Sequence, residues 1–403
     1  MQLPLEDVKV LDLTHALAGP FCSTMLADFG AQVIKLEPPG HGDIARGWGA
    51  PLPGGETAYF VSLHRHKRGI VIDLKKPEGK ELFFRLVEQC DVVLENYRVD
   101  ALKRLGLDYE AARKRNPAII YCSVSGFGQD GPYRERAALD LILQAESGMI
   151  SVTGEPGTTG TRAGVSIADM TAGMYCAYAV MLALRVKDKT GEGQQVDISM
   201  MEGQLALLGT GIANYFADGK VPQPMGQAYS VVVPYQTFHT STRDLALAIA
   251  GEKLWRKFCP VMGCPELLDD PRYVNTVERS KHRDTLIPTL QKIFLTRSYE
   301  EWEKILLAND IPVGAINNIA QVVEHPQVKA RESLRDVDHP SVGRVRVVGS
   351  PVRLSRTPAR APTPSPVHGQ HTQEVLQDVL GMTAEEIAKL AQAGVIELAS
   401  RGT

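Results

Sequence analysis

What this sequence lacks narrows its chemistry at once. It has no basic excess: 44 Lys and Arg against 47 Asp and Glu leave a formal net charge of −3, which argues against a nucleic-acid binder. None of its six cysteines (Cys22, Cys90, Cys122, Cys176, Cys259, Cys264) stands in C-x-x-C spacing and no histidine cluster accompanies them. Reduced, buried thiols are expected, with no metal site and no disulfide framework. No apolar run reaches the ~18 residues a membrane span needs, and residues 1–12 lack the charged-then-apolar layout of a signal peptide. No membrane partner is expected, and the default compartment is the cytoplasm. Three nucleotide or hydrolase signatures are missing as well: G-x-G-x-x-G after the first strand, the G-x-x-x-x-G-K-[ST] loop and the G-x-S-x-G elbow. A doubly wound sheet without them must bind its ligand by other means.

What remains is the texture of a two-domain enzyme. The chain has 403 residues, 44% hydrophobic and 23% charged, with 36 glycines and 25 prolines dispersed rather than clustered, so two domains are the natural expectation. Short apolar strands at residues 8–13, 32–36, 69–74, 91–95, 118–125 and 195–200 alternate with helices at 20–29, 77–89, 139–149 and 167–186, which predicts a parallel sheet with helices on its faces. Near residue 217 the texture changes. Strands at 231–238 and 245–250 follow one another without a helix between, and helices at 253–259 and 285–294 come after. The expected organisation is α/β: a large domain over 1–217, a smaller α+β domain over 218–328, and a linker with C-terminal helices over 329–403 that returns to the large domain. Residues 356–367 read as a Pro-rich extended linker.

Candidate site residues gather where predicted strands end, the place where open α/β sheets bind ligands. The run His64-Arg65-His66-Lys67-Arg68 precedes the third strand, Asn96-Tyr97-Arg98 follows the fourth, and Lys103-Arg104 closes the short helix after it. Arg and Lys at such places suit phosphates, although basic runs are also common on solvated surfaces. Asp169 opens the long apolar helix and, with Asp188, is one of two acids in residues 156–191. It reads either as a helix cap or as a carboxylate nucleophile in an apolar setting. His15 follows the first strand, and Asp140 opens another apolar helix; packing and capping would account for both.

Taken in order, these segments resemble the class III CoA-transferase family, which also includes α-methylacyl-CoA racemases. The likeness covers nearly the whole chain. It is carried by Val8-Lys9-Val10-Leu11-Asp12-Leu13-Thr14 with Ala18-Gly19-Pro20, by Ala27-Asp28-Phe29-Gly30-Ala31 with Val33-Ile34-Lys35-Leu36-Glu37, and by Gly42-Asp43 with Arg46 and Trp48-Gly49. Lys67-Arg68-Gly69-Ile70, Glu95-Asn96-Tyr97-Arg98, Gly126-Phe127-Gly128, Thr190-Gly191-Glu192-Gly193-Gln194 and Gly369-Gln370-His371-Thr372 continue it. The resemblance implies a Rossmann-like large domain built from both chain ends, a smaller inserted α+β domain, and an interlocked homodimer. It implies CoA and acyl-CoA as substrates, with no permanently bound cofactor.

By the same resemblance, Asp169 is the catalytic nucleophile, supported by His15, Asp140 and backbone around Gly251. CoA contacts fall on Leu17, Ala18, Lys67, Arg68, Asn96, Tyr97, Arg98 and Arg104. The implied chemistry passes CoA from one carboxylic acid to another through an aspartyl-CoA thioester. Three departures sharpen the choice within the family. Racemase members carry His before the acid matching Asp140, and here that residue is Leu139. The formyl/oxalyl branch has a glycine run where this chain reads Ala250-Gly251-Glu252. Pro38 stands where many relatives have Arg. The stretch Val233-Pro234-Tyr235-Gln236-Thr237-Phe238 looks most like members using succinyl-CoA and short dicarboxylic acids. The alternatives are a racemase-like isomerase and a formyl/oxalyl-CoA transferase.

Overall fold

The structure is a computed structural model that describes residues 2–399. Its main feature is a seven-stranded sheet. In chain order the protein's strands are β1 (Lys9–Asp12), β2 (Gln32–Glu37), β3 (Arg68–Ile72), β4 (Val92–Glu95), β5 (Ile120–Ser125), β6 (Gln195–Ser199), β7 (Tyr235–Phe238), β8 (Leu245–Ala248), β9 (Val313–Ala315), β10 (Leu334–His339), β11 (Gly343–Val348) and β12 (Ile396–Glu397). The large sheet runs β12-β3-β2-β1-β4-β5-β6. Strands β1 to β6 are parallel, and β12 joins the β3 edge antiparallel. This is the doubly wound order, in which strand succession reverses at β1.

Alternation along each strand divides the core in two. Leu11, Ile34, Ile70, Ile72 and Val93 face the helices Pro77–Gln89, Tyr109–Arg115 and Thr372–Asp378. Val10, Val33, Val92, Leu94, Ile120 and Cys122 face the helices Ala18–Asp28 and Ile167–Thr190. Burial on both faces explains the nearly unbroken apolar strands, since crossover helices cover each side. The C-terminal segment completes the first core with Val375, Leu376, Ile387, Val395 and Ile396.

The described chain divides into two compact units. One holds residues up to 149, residues 163–217 and residues from 327 onward; the other holds 150–162 and 218–326. The segment 150–162 therefore leaves the 1–217 span assigned from sequence. It closes on itself through Thr161 N–H to the Thr153 carbonyl (2.7 Å) and is tied to residue 226 by Gly226 N–H to the Gly154 carbonyl (2.7 Å). The second unit pairs β7, β8 and β9 antiparallel over a core that includes Trp255, Phe258, Phe294 and Trp302.

The segment 356–367 is extended, but it is not a free spacer. Arg360 N–H reaches the Asp28 carbonyl (2.9 Å), Thr363 Oγ1 pairs with His66 Nδ1 (3.1 Å), and Arg46 donates to the Pro366 carbonyl (3.1 Å). The helix Ile167–Thr190 is long and apolar enough, by length and composition, to cross a membrane, a property the run-length argument from sequence missed. It packs instead on Ala18–Asp28, with Ala172, Cys176 and Val180 fully buried in the shared core.

Candidate active site

Strand order reverses at β1, and by the general rule for open α/β sheets the ligand crevice belongs between the carboxyl ends of β1 and β4. The sequence places His15 after one and Asn96-Tyr97 after the other. Asn96 grips the first loop reciprocally: its Oδ1 accepts His15 N–H and its Nδ2 donates to the His15 carbonyl, both at 2.8 Å. His15 Nε2 lies 2.9 Å from the Tyr97 hydroxyl, with the two rings edge to face. Burial, reinforced by the charge of Lys35, pulls the His15 imidazole down to about 4, so it is neutral at physiological pH and serves as a hydrogen-bonding group. Ala16 is held left-handed (φ 65°), and its N–H donates to Asp43 Oδ1 at 3.0 Å. The helix Ala18–Asp28 begins at this turn with no side-chain cap and no acid in its first turn. Its N-terminal amide groups favour an anion.

Beneath this loop lies an ionic cluster with no exposed member. Asp12 Oδ1 accepts from Thr14 N–H (2.9 Å) and Thr14 Oγ1 (2.5 Å). Lys35 Nζ stands 3.0 Å from Asp43 Oδ2 and donates to the Thr14 carbonyl. Lys67 Nζ donates to Ser23 Oγ (2.7 Å), the Pro20 carbonyl (3.0 Å) and Asp12 Oδ2 (3.2 Å). Burial by itself would raise the Asp12 carboxyl, but Lys67 and Lys35 hold it well below the usual range. The sequence-based placement of Lys67 on CoA phosphates is therefore corrected. Its ammonium points inward and is fully occupied, and burial lowers it to about 8. His64, Arg65 and His66 are buried too: Arg65 grips Asp28 with two bonds of 2.7 and 2.6 Å, and His64 stacks on Phe60.

Asp169 occupies the first turn of Ile167–Thr190 and is half-buried. Burial, and then the negative charge of Asp140, push its carboxyl up to about 7. Asp140 Oδ1 accepts Ala168 N–H at 2.9 Å, pinning the turn that carries Asp169. One helical turn past Asp169, Gly173 allows the closest approach to Ala18–Asp28: a Cβ there would stand 2.6 Å from the Ala18 carbonyl oxygen. Tyr59 links this carboxylate to the crevice. Burial first, then the charges of Asp169 and Asp43, raise its phenol to about 12.

The other expected contacts spread over several elements. Leu17 and Ala18 are buried at the helix start. Arg68 is partly exposed and stands 3.5 Å from Glu374. Arg98 and Arg104 are exposed; Arg98 lines a cleft of about 240 Å³ with Glu95, Lys103, Ser123 and Arg134. Gly251 belongs to the second unit, where it is the left-handed residue (φ 88°) before the helix Glu252–Val261. Sequence reasoning missed Lys35 and Tyr59. Lys35 had a signal, as a lone cation in a strand buried at every other position but its first.

A profile of CoA-transferase family III matches residues 5–372. Succinyl-CoA:glutarate CoA-transferase of Homo sapiens is 37% identical over 394 residues, spanning 98% of this chain and 90% of that protein. Succinate–glutarate CoA-transferase of Agrobacterium fabrum is 39% identical over 387 residues, spanning 93% and 96% respectively. The crystal structure of a CAIB/BAIF family protein from Brucella suis superposes with a TM-score of 0.83 at 35% identity, covering 94% of this chain and all of that one. These likenesses put the protein among the transferases that handle CoA thioesters. The chain belongs to CoA-transferase family III, and it is an enzyme of that activity.

Proposed function

We propose that the protein moves CoA between carboxylic acids through covalent intermediates on Asp169, with succinyl-CoA or another short dicarboxylyl-CoA as donor and a dicarboxylic acid such as glutarate as acceptor. The observation that carries this reading is a half-buried carboxylate, raised to about 7 and fixed at the head of a helix whose first two turns pack against the start of Ala18–Asp28. An ordinary carboxylate is a poor match for a thiolate leaving group whose own pKa is near ~8.5. Raising Asp169 narrows that gap and makes attack on a thioester more nearly reversible, as an exchange reaction requires.

Asp169 attacks the thioester carbonyl; the C–S bond breaks, leaving an aspartyl–acyl anhydride and CoA thiolate. The thiolate attacks the aspartyl carbonyl, releasing the donor acid and forming aspartyl-CoA. The acceptor carboxylate runs both steps in reverse. Arg68, Arg98 and Arg104 hold the CoA phosphates. The amides at Leu17 and Ala18, with His15, Asn96 and Tyr97, shape the crevice. A racemase reading draws no support from residue 139, where Leu139 is 71% exposed and carries no proton to exchange. The second copy of a homodimer covers the outer face of Ile167–Thr190, where Met174, Tyr178, Met181 and Leu182 are exposed at helical spacing.

Donor thioester without acceptor should load the enzyme. Hydroxylamine should then convert the ester-level carboxyl of Asp169 to a hydroxamate, read by peptide mass. Asp169→Ala should keep CoA affinity and lose transfer by on the order of 10⁴-fold or more. A label on Asp140 or a cysteine, or substantial transfer by Asp169→Ala, would overturn the mechanism.

A further inference from the structure

Gln144 is fully buried, one helical turn beyond Asp140 on the helix Asp140–Glu146. Its amide serves three partners. Nε2 donates to Asp140 Oδ2 at 2.6 Å and, more weakly, to the Val165 carbonyl at 3.4 Å. Oε1 accepts Ala163 N–H at 2.8 Å. Only this amide orientation satisfies all three, because a flip would set oxygen against a carboxylate oxygen and a carbonyl. Asp140 spends its other oxygen on Ala168 N–H at 2.9 Å. Two side chains four residues apart therefore hold Ala163, Val165 and Ala168, the run of backbone that delivers the chain to Asp169. The run's own backbone contributes local bonds, Ile167 N–H to the Val165 carbonyl (2.9 Å) and Met170 N–H to the Ser166 carbonyl (3.0 Å). It enters from Gly164 and an exposed Val165, and Ser166, at the helix N-cap, makes no capping bond. The usual device for fixing a helix start is absent, and the Asp140–Gln144 pair replaces it.

We infer that Gln144 is a positioning residue for CoA transfer: it locks Asp140 onto Ala168 and the 163–165 stretch of backbone, and so fixes where the Asp169 carboxylate stands when it attacks. Gln144 touches no reacting atom. It acts through Asp140, whose charge and whose bond to Ala168 both bear on Asp169. The inference rests on Asp169 being the nucleophile. Loss of the lock leaves the CoA-binding residues in place, because His15, Asn96, Tyr97 and the helix Ala18–Asp28 are held by separate bonds. The cost falls on the covalent step, where a displacement near ~1 Å is worth about 100-fold.

The test uses full-length protein with three variants. Gln144→Glu keeps the length and the acceptor for Ala163 but opposes Asp140 with oxygen. Gln144→Met removes every bond at similar volume. The swapped pair Asp140→Asn with Gln144→Glu restores a donor–acceptor match: the new amide nitrogen at position 140 can donate to the new carboxylate at position 144, while the amide oxygen still accepts Ala168 N–H. Single-turnover formation of aspartyl-CoA should fall about 30- to 100-fold in Gln144→Glu and Gln144→Met, with CoA affinity within about threefold of wild type. The swapped pair should recover at least about tenfold over Gln144→Glu. Should Gln144→Met not fold, Gln144→Glu against the swapped pair carries the comparison alone. Wild-type rates in Gln144→Glu, no recovery in the swapped pair, or a loss confined to CoA affinity would each sink the inference. Asp169→Ala run alongside separates the two failures. If it transfers CoA, the nucleophile assignment falls; if it is silent while Gln144→Glu runs at full speed, only the role of Gln144 falls.

Discussion

At Asp169 two effects compete for one proton. A helix N-terminus favours the ionised carboxyl, while burial and the Asp140 charge favour the acid, and the acid wins as far as about 7. In the proposed mechanism the attacking form is the carboxylate, so transfer at subsaturating acyl-CoA should rise about tenfold per pH unit below 7 and level off above it, measured as kcat/KM against pH. Stability runs the opposite way. The folded carboxyl sits above its unfolded value, so the native state retains a proton that the unfolded chain has lost, and stability falls as pH rises from about 4 to about 7. The penalty is complete above that range, at up to about 4 kcal/mol. Asp169→Asn should therefore melt higher than wild type at pH ~8 and close to it at pH ~4, as scanning calorimetry would register. The candidacy of Asp169 was legible from an acid heading an apolar helix. The inward turn of Lys67 was not, because a lysine in a basic run looks the same whether it meets water or Asp12. The ionic cluster is made of residues far apart in sequence, joined only when β1, β2 and β3 lie side by side.

Among elements, the contact between the helices Ala18–Asp28 and Ile167–Thr190 bears most directly on the site. It brings the start of one helix against the first two turns of the other, with Gly173 at the closest point. Gly173→Ala places a methyl group against a backbone carbonyl that cannot swing aside, so the helices must part. Overpacking of that kind costs about 1–3 kcal/mol. The variant should melt lower, and its transfer rate should fall more than its affinity for CoA. The alternation of apolar strands with helices made the parallel sheet readable from sequence, since its central strands are buried on both faces. Strand β10 was not readable. Its sequence, Leu334-Arg335-Asp336-Val337-Asp338-His339, is mostly polar and pairs with β11; Val337 and His339 are buried on one face, but a histidine at one of those places breaks the apolar period that would have marked a strand. Strand β12 is two residues long and owes its existence to the β3 edge rather than to its own residues.

For the whole molecule, the exposed apolar residues of Ile167–Thr190 set the expectation. Met174, Tyr178 and Met181 recur at helical spacing opposite the buried Ala172, Cys176 and Val180, a stripe of the kind that marks protein interfaces. Wild type should sediment as a dimer that resists dilution, and a double substitution Tyr178→Asp with Met181→Asp should yield monomer or aggregate. A wild-type monomer at assay concentration would contradict the dimer. The large sheet carries another consequence, for synthesis on the ribosome. Strand β3 ends at Ile72, yet its antiparallel neighbour begins at Ile396 and the helix that covers its face at Thr372. Translation proceeds at about 5–20 residues per second, so the nascent chain carries an unpaired β3 edge and an open apolar face for tens of seconds. Unprotected strand edges invite mispairing. Chaperone demand for this protein should therefore concentrate on the interval between emergence of β3 and arrival of the residues that seal it.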